Sequence, residues 1–236
     1  MANNKKNTKQ QGSSSKFTFW MIGLIAVCIL GFIFLGNHNK KVEKPASKSE
    51  VAIDYSGQPF LGKSSAPVSI IEFGDYKCPN CKNFAEGVIP VIQKELVDTG
   101  KAKLYFFNDS FINVDSERAA KFAEAVYHEL GNDTFWKFHD LLYKKQPEDP
   151  KYEKMDVYDK KFLTNTLKEV AKEDEVNKVV AYFDANKANA AWQTDMDYVT
   201  KLGVTGTPTI FVDGKMFQGK SLDDLKDMVD KAAKGK

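Results

Sequence analysis

The chain has 236 residues, and its 34 lysine and arginine side chains nearly balance its 32 aspartate and glutamate side chains. Positive and negative residues are interleaved, so the sequence lacks the basic stripe that nucleic-acid binding requires, and it predicts no nucleic-acid partner. Beyond its first 56 residues, the chain has the length of one domain with an insertion.

The N-terminal part predicts a membrane anchor. Residues 1–16 are polar and rich in lysine, asparagine and glutamine, as disordered tails are. Residues 17–35 are uncharged and have about the 20-residue length of a membrane-spanning helix. A cleaved signal peptide would have a shorter apolar segment and a small-residue cleavage site, which residues 36–40 do not offer. We expect a transmembrane helix at 17–35 and an irregular linker at 36–56.

The domain predicted for residues 57–236 begins with a strand, a helix and a strand. Val68–Phe73 and Lys103–Phe107 are short apolar runs rich in β-branched or aromatic residues, as strands are. A helical pattern lies between them and runs to about Val97.

Helical periodicity then dominates residues 113–202. Apolar residues recur at spacings of three and four, which indicates helices that each bury one face. The first face contains Ala119, Phe122, Ala123, Val126, Tyr127 and Leu130. The later faces contain Phe135, Phe138 and Leu142; Leu163, Leu167 and Val170; Val176, Val179, Val180 and Phe183; and Ala188, Ala191, Trp192 and Val199.

The C-terminal part returns to a strand pattern. Thr209–Val212 and Lys215–Gln218 flank Asp213-Gly214, which is a strong hairpin signal, and a helix follows from about Leu222. The order is therefore β, α, β, a block of helices, then β, β, α. This order predicts an α/β thioredoxin fold interrupted by a helical insertion at about 113–202.

The most informative motif is Cys78-Pro79-Asn80-Cys81, which opens the first predicted helix. Two thiols at this spacing can close a disulfide across one helical turn. The helix dipole and the unpaired backbone N–H groups favour the thiolate of Cys78, and the thiolate is the species that attacks. The motif therefore predicts a thiol-disulfide oxidoreductase.

Other uses of the two cysteines are disfavoured. A purely structural disulfide over so short a loop would stabilise the fold little. Zinc needs about four ligands, and the predicted domain adds only His128 and His139 at no finger-like spacing. Covalent haem would need histidine where Lys82 stands. We predict no cofactor beyond the Cys78-Cys81 disulfide; the acidic residues leave a structural cation open, although no loop has EF-hand spacing.

The stretches Ile71–Cys81 and Gly203–Thr209, with the helices between them, resemble the DsbA-like family of thiol-disulfide oxidoreductases. The anchor and the lysine-rich composition are most similar to the anchored BdbD-type members of Gram-positive bacteria. The resemblance covers about Gly57 to the C-terminus. It implies that the protein oxidises cysteine pairs in reduced secreted proteins, and that a quinone-linked membrane partner similar to DsbB reoxidises it.

The resemblance also implies roles for five residues. Cys78 would be the exposed nucleophile and Cys81 the more buried resolving thiol. Thr207 and Pro208 would form a cis-proline turn that faces the cysteines, with the Thr207 hydroxyl tuning the thiolate. Glu72 would be a buried acid of raised pKa that exchanges a proton with Cys81. The alternative, a Glu72 head group that reaches solvent at the sheet edge, stays open.

The two residues between the cysteines tune the site. Pro79 suits the first helical position, because its missing N–H removes no hydrogen bond there. Asn80 replaces the histidine of the best-known DsbA pattern and cannot carry a positive charge beside the thiolate. The potential, and not the fold, therefore decides the direction of catalysis.

The remaining polar and aromatic candidates have plainer interpretations. We expect Asp75 and Lys77 to be solvated residues on the approach loop. We expect Trp136 and Trp192 to be core residues, and His128 and His139 to be ordinary helix residues.

The lysines on the two sides of the anchor are balanced in number and do not decide its orientation. We expect the tail in the cytoplasm and the domain outside the cell membrane, because disulfide exchange in the oxidising direction belongs outside the cytosol. A monomer is expected, since no dimerisation domain is visible. A reductase or isomerase of the same fold, and a non-enzymatic anchored binding or chaperone module, remain alternatives.

Overall fold

The computed structural model describes residues 51–235. The tail predicted at 1–16, the anchor at 17–35 and most of the linker at 36–56 lie outside this range. Within it, no helix is both long and apolar enough to cross a membrane.

The described residues form five strands and eight helices, and their order follows the prediction except for the short first strand, which was not predicted. The strands are β1 (Phe60–Leu61), β2 (Val68–Gly74), β3 (Ala102–Asn108), β4 (Thr209–Val212) and β5 (Lys215–Met216). The helices are α1 (Pro79–Gly87), α2 (Ile89–Ile92), α3 (Val114–Leu130), α4 (Asn132–Lys144), α5 (Lys160–Leu167), α6 (Glu173–Asp184), α7 (Asn189–Leu202) and α8 (Leu222–Lys234). A π-helical turn spans Gln93–Val97, and a 3-10 turn spans Pro150–Lys154.

The strands form one sheet in the order β1-β3-β2-β4-β5. The central strand β2 runs parallel to β3 and antiparallel to β4, and all seven of its residues are buried. A strand covered on both faces reads as a continuous apolar run, and this explains the sequence signal at Val68–Phe73.

The helix predicted from the cysteines to about Val97 is broken into α1, α2 and the π-helical turn. Gly87 ends α1, and Pro90 lies in the first turn of α2, where its missing N–H is tolerated. The two helices therefore meet at Val88.

Helices α3 to α7 form the insertion between β3 and β4. The predicted face of α3 is largely buried, with Ala119, Phe122, Ala123 and Val126 fully enclosed. It packs in the same core as the buried residues of α1 and α4. The insertion thus packs on the same face of the sheet as α1, the helix that carries the cysteines.

The opposite face of the sheet buries a smaller cluster that includes Ile71, Phe73 and Tyr198. Val51, Ile53 and Tyr55 pack against this cluster. The linker predicted for residues 36–56 was therefore extended too far, because its last part belongs to the folded domain.

Candidate active site

The two cysteines lie at the start of α1, directly after β2. Cys78 occupies the N-cap position and Pro79 is the first helical residue, as predicted. Both cysteines are free thiols. Cys78 is 6% exposed and Cys81 is 0% exposed, while Pro79 and Asn80 are exposed. The predicted order of burial is present, but Cys78 shows only one edge of its side chain to solvent.

The loop before β4 faces Cys78. The peptide bond between Thr207 and Pro208 is cis, as the resemblance implied. The Cys78 thiol donates a hydrogen bond to the Thr207 carbonyl at 3.4 Å. The Thr207 hydroxyl is buried and has no hydrogen-bond partner among residues 51–235. It is therefore available to donate to a thiolate at Cys78.

The environment separates the pKa values of the two thiols. The pKa of Cys78 is lowered to about 6, and the largest cause is the hydrogen bond from the Cys81 thiol. Desolvation opposes this and raises the pKa, whereas hydrogen bonds from the Thr207 side chain and from the N–H groups of Cys81 and Asn80 lower it further. Burial raises the pKa of Cys81, and the bond to Cys78 and the charge of Glu72 raise it further. Near neutral pH Cys78 is a thiolate and Cys81 a thiol.

Glu72 lies inside β2, beneath the cysteines. Its side chain is fully buried, so the alternative in which its head group reaches solvent is wrong. Neither carboxylate oxygen has a hydrogen-bond partner among residues 51–235. Burial and then the charge of Cys78 raise the pKa of Glu72 to about 8. A group with this pKa can give or take a proton near neutral pH.

The expectation that Asp75 and Lys77 are solvated is wrong, because both side chains are buried. The Lys77 Nζ forms an ion pair with Asp115 at 3.0 Å, and it donates to the carbonyls of Tyr152 at 2.8 Å and Met155 at 2.5 Å. No local pattern marks this pair, since its two members are 38 residues apart in the chain.

The carboxylate of Asp75 accepts hydrogen bonds from two backbone segments, one beside the cysteines and one after β3. One oxygen accepts from the Lys77 N–H at 2.8 Å, and the other accepts from the N–H groups of Phe111 and Ile112 at 3.0 and 3.1 Å. Asp75 therefore ties the loop before Cys78 to the start of the insertion.

Gln146 was missed by the sequence analysis. Its buried side-chain amide donates to the carbonyls of Tyr76 at 2.9 Å and Cys78 at 3.2 Å. It also lines a cavity of about 400 Å³ that opens between α1 and residues 146–153. Nothing in the local sequence distinguishes this glutamine from a surface residue, because its two partners are about 70 residues away in the chain.

The histidine and tryptophan predictions hold in part. Trp136 is buried, whereas Trp192 is half-buried and donates its indole N–H to the Ser110 hydroxyl at 2.7 Å. His128 is exposed. His139 lies in α4 as predicted, but it is fully buried and its Nδ1 lies 3.1 Å from the Tyr76 hydroxyl.

Comparisons with known proteins agree with this geometry. The family model described as "Thioredoxin" matches residues 54–231. "Probable disulfide bond formation protein D" of Bacillus anthracis is 32% identical over 214 residues, which are 91% of this chain and 94% of that protein. "Disulfide bond formation protein D" of Bacillus subtilis is 34% identical over 203 residues, or 84% and 87% of the two chains.

Solved structures show the same fold. Oxidised BdbD from Bacillus subtilis matches with a TM-score of 0.70 and 34% identity, over 77% of this chain and 96% of that one. Chlamydia trachomatis DsbA matches with a TM-score of 0.64 and 19% identity, over 78% and 93% of the chains, and this likeness concerns the fold alone.

The chain belongs to the thioredoxin family and, within it, to the DsbA-like proteins of the BdbD type. It is a thiol-disulfide oxidoreductase that introduces disulfide bonds. The predicted thioredoxin fold with its helical insertion and the predicted enzyme class are confirmed, whereas the transmembrane helix predicted at 17–35 lies outside the described residues.

Proposed function

We propose that the domain acts outside the cell membrane and oxidises cysteine pairs in reduced secreted or surface proteins, with Cys78 as the attacked and leaving sulfur. The observation that carries the proposal is the placement of two sulfurs within one helical turn, with Cys78 at the solvent edge 3.4 Å from the Thr207 carbonyl and Cys81 fully buried. The pKa values of the two thiols shift in opposite directions accordingly. This asymmetry assigns one sulfur to the substrate and the other to the interior.

The proposed reaction starts from the Cys78-Cys81 disulfide. A substrate thiolate attacks the Cys78 Sγ, the Sγ–Sγ bond breaks, and its electron pair goes to Cys81. Glu72 gives its proton to the Cys81 sulfur, which is buried and tolerates no charge. A second substrate thiolate then attacks the first substrate sulfur and releases Cys78 as a thiolate. The substrate is oxidised by two electrons, and the cysteine pair is reduced.

The stability of the leaving thiolate favours the oxidising direction. A dithiol whose reduced form is stabilised is a stronger oxidant. Asn80 supplies no charge here, so the stabilisation comes from hydrogen bonds of Cys81, Thr207 and the helix N-terminus. Pro208 presents the loop that carries the Thr207 carbonyl and that would border a bound substrate chain.

The reduced cysteine pair must then pass its electrons on. We propose that a quinone-linked membrane oxidase similar to DsbB accepts them, and that the segment 17–35 anchors a monomer beside it. Thiol exchange carries the electrons at each step, so the domain needs no cofactor beyond its own disulfide. Cys78 is the sulfur nearer solvent, so it would form the mixed disulfide with this partner as well as with the substrate.

The first test is the reduction potential of the full-length protein against glutathione, together with the pKa of the Cys78 thiolate. We expect a potential above the value of about −270 mV typical of thioredoxin. We also expect alkylation of Cys78 to rise with pH, with a midpoint near 6. The near-isosteric Thr207→Val variant should raise this midpoint, because it removes one donor to the thiolate. A thioredoxin-like potential with an ordinary thiol pKa would point to a reductase instead.

The same alkylation reaction tests the location. In intact cells after mild reduction, a membrane-impermeant maleimide should label Cys78 as fully as a permeant one does. Labelling by the permeant reagent alone would place the domain in the cytoplasm and contradict this part of the proposal.

A further inference from the structure

Several buried polar groups beneath the cysteines have no hydrogen-bond partner. Among residues 51–235 they include both carboxylate oxygens of Glu72, the hydroxyl of Tyr143 and the Nε2 of His139. All three residues are 0% exposed. Because buried polar groups are almost always paired in folded proteins, a cluster of unpaired ones beside a redox site calls for a functional explanation.

The hydroxyl of Tyr143 lies against β2 on the face that carries Glu72. A Cβ at Gly74 would stand 2.6 Å from the Phe106 ring and 3.1 Å from the Tyr143 Oη, so the phenol hydroxyl lies directly against the strand at this residue. Residues 72 and 74 point to the same face and are about 7 Å apart along the strand. The flexible Glu72 side chain can close much of that distance.

A carboxylate at Glu72 would have no positive charge beside it on the sheet. Its neighbours on the two adjacent strands are Phe106 and Ile210. The buried ammonium of Lys77 is already bound to Asp115. A hydrogen bond to the charged form is therefore the remaining way to stabilise the carboxylate.

Packing holds the phenol of Tyr143 in place. Its ring lies 5.1 Å from the ring of Tyr76 and 5.0 Å from that of His139. The Tyr76 hydroxyl and the His139 Nδ1, 3.1 Å apart, bind each other and leave the Tyr143 hydroxyl unengaged. Burial lowers the pKa of His139 to about 3, so the ring is neutral and does not compete as a cation.

We propose that Tyr143 is a positioning residue that donates a hydrogen bond to the Glu72 carboxylate whenever Glu72 has given its proton to Cys81. The inference rests on the proposed function and deepens it. In the step concerned, the disulfide breaks, the proton moves from the Glu72 carboxyl to the Cys81 sulfur, and the carboxylate left behind accepts the Tyr143 O–H.

Tyr143 keeps its own proton throughout. Burial raises its pKa well above the ordinary tyrosine value, and the charges of Cys81 and Glu72 raise it further. The phenol is therefore a donor only, and it makes Glu72 a stronger acid toward Cys81 without taking part in proton transfer. In the reverse half-reaction it keeps the carboxylate available as the base for Cys81.

The test is the Tyr143→Phe variant of the full-length protein. The pKa of Glu72 in the reduced form is read from ¹³C-labelled glutamate carboxyl groups, with Glu72→Gln to assign its signal. We expect the variant to raise this pKa by about one unit or more, and to slow reduction of the protein by a dithiol at pH 7 about tenfold. On the Glu72→Gln background, Tyr143→Phe should change the rate no further.

Tyr198→Phe is the matched control, because it removes the same atom on the opposite face of the sheet, where the Tyr198 hydroxyl accepts from the Asp54 N–H at 2.7 Å. It should leave the pKa of Glu72 unchanged. An unchanged Glu72 pKa in Tyr143→Phe would overturn the proposal and reduce Tyr143 to aromatic packing. The Cys78 thiolate pKa, measured in the same samples, tests the proposed function separately.

Discussion

Replacement of Cys78 by serine is expected to abolish disulfide formation while the domain stays folded. A serine hydroxyl is not ionised near neutral pH and cannot form the disulfide that the reaction requires. We expect the rate of substrate oxidation to fall at least about 1,000-fold, as it does when an enzyme loses its nucleophile. The measurement is oxidation of a reduced test protein, with circular dichroism to confirm the fold.

Cys81→Ser is the matched variant, since it removes the other sulfur of the motif and leaves the Cys78 thiolate in place. In the presence of oxidised glutathione, which accepts the two electrons, it should accumulate mixed disulfides with substrates through Cys78, visible on non-reducing gels and located by mass spectrometry. Near-normal oxidation by Cys78→Ser would contradict the assignment of Cys78 as the nucleophile. Adducts that form through Cys81 instead would reverse the assigned order of the thiols.

Lys77→Met is expected to lower the stability of the fold strongly, because Lys77 is one half of a fully buried ion pair. The Lys77–Asp115 pair is 0% exposed on both sides, so the variant would leave a buried carboxylate without its countercharge. Loss of one partner from such a pair costs about 3–5 kcal/mol. The variant also removes the ammonium that stands 3.8 Å above the Tyr152 ring.

Urea unfolding of the wild-type and variant proteins measures this loss. Lys101→Met is the control, because Lys101 forms an ion pair of similar length with Asp230 at 2.9 Å, but the two side chains are 47% and 45% exposed. That change should cost at most about 1 kcal/mol. Adding Asp115→Asn to Lys77→Met should restore part of the stability, since it removes the uncompensated charge. Equal small losses in both single variants would mean that Lys77 is solvated after all.

The order of strands and helices was predictable because each element carries its own period. The faces of α3 and α4 and the hairpin at Asp213-Gly214 are local patterns that the structure retains. The start of the domain was predicted too late, at residue 57, although Val51, Ile53 and Tyr55 stand at alternate positions, as in a chain packed on one side.

The surroundings of the cysteines were not predictable in the same way. Periodicity identifies Tyr143 as a possible buried residue of α4, but it cannot say which strand residue its hydroxyl meets. Lys77 looks like a surface residue until Asp115 is brought beside it by the fold. Buried polar groups depend on neighbours that are distant in sequence, so a single chain without its three-dimensional contacts does not reveal them.

The low pKa of Cys78 links the redox state of the protein to its folding free energy. An acid whose pKa falls from an ordinary value of 9.0 to about 6 on folding stabilises the folded state above that range, and this gain is lost as the pH falls through 6. Only the reduced chain has the thiolate, so the reduced form gains this stability and the disulfide form does not. Above pH 6 the thiolate thus adds to the folding free energy of the reduced form alone, and this contribution favours donation of the disulfide to a substrate.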